Sequence, residues 1–219
     1  MMPRARPTIE AMSDHMLRLY PPLEATDQGL SLALYRALAE GEPVAISALA
    51  AELGWLLDDV GRRVQRLPGV HYDGVGRVIG YWGLTLDPTT HRLRVGGRDL
   101  YTWCAWDTLF LPALLEARAT VESVCRGSGQ PVRLAIGPSA IEAADPEGLS
   151  VSFLLPDPAA MRADPIGSFC CHVHFFGSRR AAEPWLQAQP ESFLLSLAEA
   201  YEVGQRRNRA RYAAMPDLV

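Results

Sequence analysis

The sequence changes texture once and sharply, at Pro68-Gly69. Before that point apolar residues recur at helical spacing. After it, "VHYDGVGRVIGYWGLTLDPTTHRLRVGGRDLY" is glycine-rich and β-prone, with Asp73-Gly74 and Gly96-Gly97 as hairpin signals. Within the first block, "SLALYRALAEGEPV" sets Leu32, Tyr35 and Leu38 at helical spacing and stops at Gly41. "SALAAELGWLLDDVGRRVQRL" reads as two short helices broken at Gly54, with Ser47 capping the first and Leu56, Val60 and Val64 lining one face of the second. A further weakly amphipathic segment, 9–19, follows Pro7. Three helices followed by a ribbon is the order of a winged helix-turn-helix.

Beyond the ribbon the elements mix. "WCAWDTLFLPALLEA" has a helical pattern, and 120–136 is β-rich with a turn at "RGSGQ". Residues 149–155 alternate like a strand, and 169–176 read as another. "PWLQAQPESFLLSLAEAYEVGQRRNRARY" closes the chain as helix interrupted around Pro190, its "QRRNRAR" run read as a solvated helix end. The fold class expected is α+β: an N-terminal winged-helix-like helical region with a β ribbon, then an α+β domain around an irregular mixed or antiparallel sheet. The divisions expected are 1–25 as an N-terminal extension with a helix, 26–87 as the winged-helix-like domain and 88–219 as the second domain.

A winged helix raises DNA binding, which the charge opposes. With 25 acidic and 21 basic residues the net charge is −4, against a large non-specific nucleic-acid footprint. Arg62, Arg63 and Arg66 on the second short helix sit beside Asp58 and Asp59. "GVGRVIG" opens no βαβ unit, so no dinucleotide site is supported. Arg4, Arg6, Glu10, Asp14 and Arg18 break up any secretory apolar core, and no apolar run reaches the roughly 18 residues that span a bilayer. A cytoplasmic location is expected, where thiols stay reduced. Four cysteines there are metal-binding, catalytic or simply buried rather than disulfide-bonded.

Two of the four are adjacent, in "SFCCHVHFF". On a strand, Cys170, His172, His174 and Phe176 share one face while Phe169, Cys171, Val173 and Phe175 share the other. Only one of the two thiols then faces a given pocket, and the other packs as a small hydrophobe. "YTWCAWDTLF" offers its partner. Cys104 and Asp107, three apart in a helical pattern, fall on one face. Cys104 lies near the helix start, where the dipole favours a thiolate. Asp107, among Trp103, Trp106 and Phe110, is expected to have a raised pKa and to carry a proton. Two thiols and a proton-carrying carboxylate suit a soft metal followed by proton delivery. Blander readings stand beside this one. His172 and His174 read as half-buried strand histidines bonded to neighbours, and Cys125 as a packed or turn-adjacent thiol. A zinc set of Cys104, Cys170 and one histidine fits a tetrahedral site, but the chain shows no CxxC or HxxxH spacing.

"LYTWCAWDTLFLPALL" and "SFCCHVHFF", some 60 residues apart, together resemble the organomercurial lyase (alkylmercury lyase) family. "GRVIGYWGLTLDPTTHRLRVGGRDLYTWCAWDTLFLPALL", "PVRLAIGPSAIEAADPEGLSVSFLLP" and "EAYEVGQRRNR" extend the likeness over most of the chain from about residue 28. The resemblance implies protonolysis of a carbon–mercury bond to R–H and Hg²⁺, with Cys104, Asp107 and Cys170 as catalytic residues and mercury held by Cys104 and Cys170. It makes Cys171 an accessory thiol and gives Cys125 a structural role. It implies a winged-helix-like N-terminal region without DNA-binding function and makes 88–219 the catalytic domain. No resident cofactor is implied; an external thiol or a mercuric reductase takes up Hg²⁺, and neither nucleic acid nor membrane is a partner. Trp103, Phe110 and Phe169 are the expected wall of an apolar pocket for the organic group. The alternative is a winged-helix mercury or metal-sensing DNA-binding regulator without lyase activity.

Overall fold

The computed structural model describes residues 6–19 and 23–215; residues 1–5 and 20–22 of the expected extension lie outside the described residues. Helix α1 (Ile9–Leu19) buries Met12, Met16 and Leu19. Helix α2 (Ala25–Ala39) is buried almost continuously from Leu30 to Tyr35, which places it at the centre of the N-terminal region. Helices α3 (Ile46–Leu53) and α4 (Leu57–Arg66) follow, separated at Gly54 as expected. Ser47 does not cap α3. The helix starts one residue earlier, its N-cap position is Ala45, and no side-chain cap bond is made. Leu56 does not join the buried face either: it precedes α4 in extended conformation and is 75% exposed, leaving Val60 and Val64 to carry the burial.

The ribbon comprises β1 (Val70–Tyr72), β2 (Val78–Tyr81), β3 (Leu84–Thr85), β4 (His91–Val95) and β5 (Arg98–Thr102). Helix α5 (Asp107–Leu114) intervenes before β6 (Ala119–Val124), β7 (Pro131–Ile136) and β8 (Ile141–Asp145). These strands form one antiparallel sheet in the order β1-β2-β3-β5-β4-β6-β7-β8. Because β3 pairs with β5, Leu84 opposite Thr102, the sheet runs unbroken past residues 87 and 88. Strict alternation makes β6 and β7 half-buried: Ala119, Val121, Val132, Leu134 and Ile136 point into the core.

The rest of the chain is β9 (Ser150–Phe153), α6 (Pro158–Ala163), α7 (Pro165–Ser168), a 3₁₀ turn at Cys170–His172, β10 (Phe175–Phe176), α8 (Arg179–Ala188), β11 (Phe193–Ser196) and α9 (Leu197–Arg211). A second antiparallel sheet has the order β10-β9-β11. One expectation fails here and another gains detail. The strand read over 169–176 is a strand only at Phe175–Phe176. Upstream, Asp157 and Asp164 each cap a short helix that begins with proline, and the chain reaches the cysteines still coiled. The interruption read around Pro190 is present, since α8 ends at Ala188, and the gap holds a strand: Ser196 and Glu199 form a capping box that starts α9 at Leu197 and leaves 193–196 extended as β11.

Helix α9 is the long brace of the molecule, packing against both α1 and α5. It approaches α5 so closely at Gly204 that a Cβ there would stand 2.9 Å from Cβ of Phe110. The "QRRNRAR" run is not a solvated end: Arg207, Asn208 and Arg211 are buried along with Val203 and Gly204. Burying guanidinium groups costs free energy unless each is matched. Arg207 lies over the Phe110 ring at 4.5 Å and donates to Asn208 Oδ1, while Asn208 Nδ2 donates to the Phe110 carbonyl. Arg211 lies over the Trp82 ring at 5.8 Å and bonds Tyr81. No described helix is long and apolar enough to cross a membrane.

Candidate active site

Cys104 occupies the turn between β5 and α5, and three separate parts of the chain fix that turn. Trp103 N–H donates to the Gly83 carbonyl at 3.0 Å, which ties it to the β2–β3 hairpin. Ala105 N–H donates to the Val173 carbonyl at 3.2 Å, which ties it to the segment carrying the other cysteines. Trp106 Nε1 donates to the Ala200 carbonyl of α9 at 2.9 Å. Thr102 Oγ1 donates to the Cys104 carbonyl, also at 2.9 Å. Cys104 therefore precedes the helix rather than standing in it. Asp107 is the first helical residue, and its Oδ2 accepts the Cys104 N–H at 2.9 Å. The expected shared helix face is in fact a turn closed by the carboxylate.

Cys170 arrives on the 3₁₀ turn, steadied by Ser152 of β9. Ser152 Oγ donates to the His172 carbonyl at 2.7 Å and accepts from His174 N–H at 2.9 Å. The outcome expected of a strand holds for another reason. The coil turns Cys170 inward, 5% exposed, and leaves Cys171 exposed with its thiol donating to the Gly167 carbonyl. The ligand atoms of Cys104, Asp107 and Cys170 all lie within 4.8 Å of one another, and the three residues are buried. Among the described residues this is the one convergent group of His, Cys, Asp or Glu side chains, and it includes no histidine. His174 instead sets Nε2 2.9 Å from the Cys171 carbonyl and its ring against Trp185, so the zinc set is not assembled.

Burial dominates the electrostatics. It pushes the Cys104 thiol well above its ordinary range, reinforced by the hydrogen bond to Cys170 and the charge of Asp107. The thiolate expected from the helix dipole is thus not the resting form, because Cys104 stands outside the helix in a fully buried turn. For Cys170, the hydrogen bond from Cys104 lowers the pKa, but burial and the Asp107 charge leave it raised. Asp107 is raised to about 6 by burial, against hydrogen bonds from Cys104 and the charge of Arg207, which pull it down. At neutral pH the arrangement is two thiols beside one carboxylate able to accept a proton.

The aromatic residues divide. Phe110 and Phe169 are buried around Trp106, with ring centroids 4.9 and 5.8 Å from it, and Phe153 completes the cluster 5.3 Å from Trp106. Trp103 is half-buried and stacks on His71 of β1 at 4.7 Å. Cys125 is buried, its sulfur accepting the Gly177 N–H at 3.3 Å. Sequence reading missed Gly83, whose carbonyl holds Trp103, and Arg207, whose charge acts on Asp107. The Arg207 signal was present: Val203, Gly204, Arg207, Asn208 and Arg211 recur at helical spacing.

Two family models match the chain: alkylmercury lyase over residues 84–207, and the helix-turn-helix domain of alkylmercury lyase over 11–82. The alkylmercury lyase of Staphylococcus epidermidis is 44% identical over 180 residues, 82% of this chain and 81% of that protein. That of Pseudomonas putida is 42% identical over 175 residues, 80% of this chain and 81% of that protein. The crystal structure of the mercury-bound form of MerB2 superposes with a TM-score of 0.76 over 93% of this chain and 100% of that one, at 22% identity, a likeness of fold. With the lyase model spanning more than half its length and relatives matched over four-fifths of theirs, this chain belongs to the alkylmercury lyase family of enzymes.

Proposed function

We propose that this enzyme cleaves the carbon–mercury bond of R–Hg⁺ by protonolysis, with Cys104 and Cys170 binding mercury and Asp107 carrying the proton. The observation that supports this most is the convergence of two sulfurs and one carboxylate in a buried site. Mercury is soft and prefers sulfur to oxygen or nitrogen donors. Both thiols rest protonated, so capture needs a base, and Asp107, ionised above about pH 6, is beside them.

In the proposed sequence one thiol bonds mercury and passes its proton to Asp107. The second sulfur then bonds the same mercury and gives up its own proton. Two sulfur donors push electron density into the Hg–C bond and make the carbon basic. Asp107 returns its proton to that carbon, the Hg–C bond breaks and R–H departs. The balance is two thiols, a carboxylate and R–Hg⁺ going to Hg²⁺ on two thiolates, the carboxylate, R–H and one H⁺. Mercury leaves by thiol exchange, to a small-molecule thiol or to a mercuric reductase. We assign the apolar side of the site to Phe110 and Phe169, which cluster on Trp106 two residues beyond Cys104. Trp103, stacked on His71, would then be a separate wall on the hairpin side.

The test is direct. Purified enzyme incubated with phenylmercuric acetate and excess thiol should release benzene into the headspace. Release no greater than in the thiol-only control would defeat the proposal.

A further inference from the structure

The turn joining β2 to β3 consists of two residues, Trp82 and Gly83, with φ values of 35° and 96°. Two positive φ values match the type I′ hairpin, whose first central position ordinarily takes Asn, Asp or Gly. A tryptophan there is strained, and such strain persists only where the surroundings impose it. Here they do. Tyr35 of α2 donates its hydroxyl to the Trp82 carbonyl at 2.9 Å, and Trp82 N–H donates to the Gly69 carbonyl at 3.1 Å. Arg211 of α9 lies over its ring. The turn is thus clamped by α2, by the Gly69 loop and by the C-terminal brace together.

What the clamped turn touches is the carboxylate. A Cβ placed on Gly83 would stand 2.6 Å from both Cγ and Oδ1 of Asp107, closer than real contacts come. On the other side Oδ2 is held by the Cys104 N–H. The same Gly83 supplies the carbonyl that fixes Trp103, next to Cys104. Residues 82 and 84 are also where the helix-turn-helix match ends and the lyase match begins. We infer that Gly83 is a positioning residue for the reaction: the bare backbone of this turn is the wall that seats the Asp107 carboxylate beside the two sulfurs. The helix-turn-helix region then serves the chemistry by holding that wall, an inference that rests on Asp107 being the proton carrier.

The experiment compares Gly83→Ala with Gly97→Ala in the full chain. Gly97, in the β4–β5 turn at φ 81°, has nothing within 4 Å of its would-be Cβ, so its substitution reports backbone strain alone. Gly97→Ala is expected to lower the melting midpoint by about 3–5 °C and to keep the wild-type rate of benzene release. Gly83→Ala is expected to take up one equivalent of mercuric chloride, as the wild type does, yet to cleave phenylmercuric acetate about 100-fold more slowly. Uptake kept with cleavage lost is the split that a merely structural glycine would not produce.

Since Gly83→Ala can fail to fold, its effect on the melting midpoint is also measured in an Asp107→Ala background, which removes Cγ and Oδ1. There the loss should shrink by about half or more. Wild-type cleavage by Gly83→Ala, an equal loss in both backgrounds, or a double variant as unfolded as the single one would overturn the positioning role. Absence of benzene from the wild type would defeat the lyase reading instead, and the paired stability measurements would still decide whether Gly83 seats the carboxylate.

Discussion

Cys104 stands on a turn clamped by the β2–β3 hairpin, the Val173 segment and α9, whereas Cys170 stands on a run of short coils that bury little of themselves. Helix α6 buries only Met161, and α7 buries none of its four residues. Yet the two sulfurs converge in a site where Cys104 is fully buried and Asp107 and Cys170 are each 5% exposed. An organomercurial can enter only if one side gives way, and segments with few buried contacts open at least cost. From this difference we expect Cys104 and Asp107 to form the fixed half of the site, and residues 157–168, upstream of the buried Phe169 and Cys170, to be the part that yields.

The largest effect should be indifferent to that asymmetry. Cys104→Ala and Cys170→Ala should each cut benzene release to below about one-thousandth, because members of a unit that acts together fail together. A Cys104→Ala enzyme retaining a tenth of the wild-type rate would show that one sulfur suffices, and the pairing would be wrong.

Stability should separate the halves. Trp106 is fully buried, packs against three phenylalanines and donates to Ala200. Trp106→Ala should cost about 3–5 kcal/mol of global stability, measured by denaturant unfolding. A cost near 1 kcal/mol would mean that the aromatic cluster under the Cys104 turn does not anchor it.

Acidity sharpens the picture of the fixed half. The folded protein holds Asp107 at about 6 against an ordinary 3.8, so its protonated form is the one that folding favours. The contribution to stability is therefore fully present below pH 3.8 and is lost as pH rises through about 6. Above that, the buried charge costs about 3 kcal/mol. Asp107→Asn should then stabilise the protein relative to wild type at pH 7.5 and much less at pH 4.5, while abolishing cleavage. In the wild type, benzene release should fall about tenfold per pH unit below 6, where the carboxyl already carries its proton. A stability difference between Asn and wild type that ignored pH would contradict the assignment.

Much of this was legible from the chain, for uneven reasons. The texture break at Pro68-Gly69, the turns at Asp73-Gly74 and Gly96-Gly97 and the β-rich stretch 120–136 with its turn at "RGSGQ" are local signals that carried through, whereas the Ser47 cap and the strand over 169–176 did not. Cys104, Asp107 and Cys170 were legible as residue types in motifs, but their geometry was not. The inward turn of Cys170 comes from caps at Asp157 and Asp164, not from strand alternation, and Cys104 lies outside its helix. Arg207 and Arg211 were hidden by their charge, which reads as solvated until the stripe they share with Val203 and Gly204 is noticed. Gly83 was illegible altogether. Nothing local says that a glycine must face an aspartate 24 residues on, since only the folded sheet brings them together.

The smallest effects belong to the yielding half. Asp164 accepts the Gly167 N–H at 2.9 Å and caps α7. Asp164→Ala should lower local stability by about 1 kcal/mol, seen as faster amide exchange over residues 165–172 with the global midpoint little changed. Substrate capture should respond more than the global fold. Cys171→Ser is smaller still. Its thiol is exposed and only donates to the Gly167 carbonyl, a bond that a serine hydroxyl can also make. Benzene release should stay within about twofold of wild type, as surface substitutions usually allow. If Cys171→Ser were inactive while Cys170→Ala stayed active, the inward thiol would be the other one. The coil carrying the pair would then have to turn over before mercury binds, making the yielding half larger than its static contacts suggest.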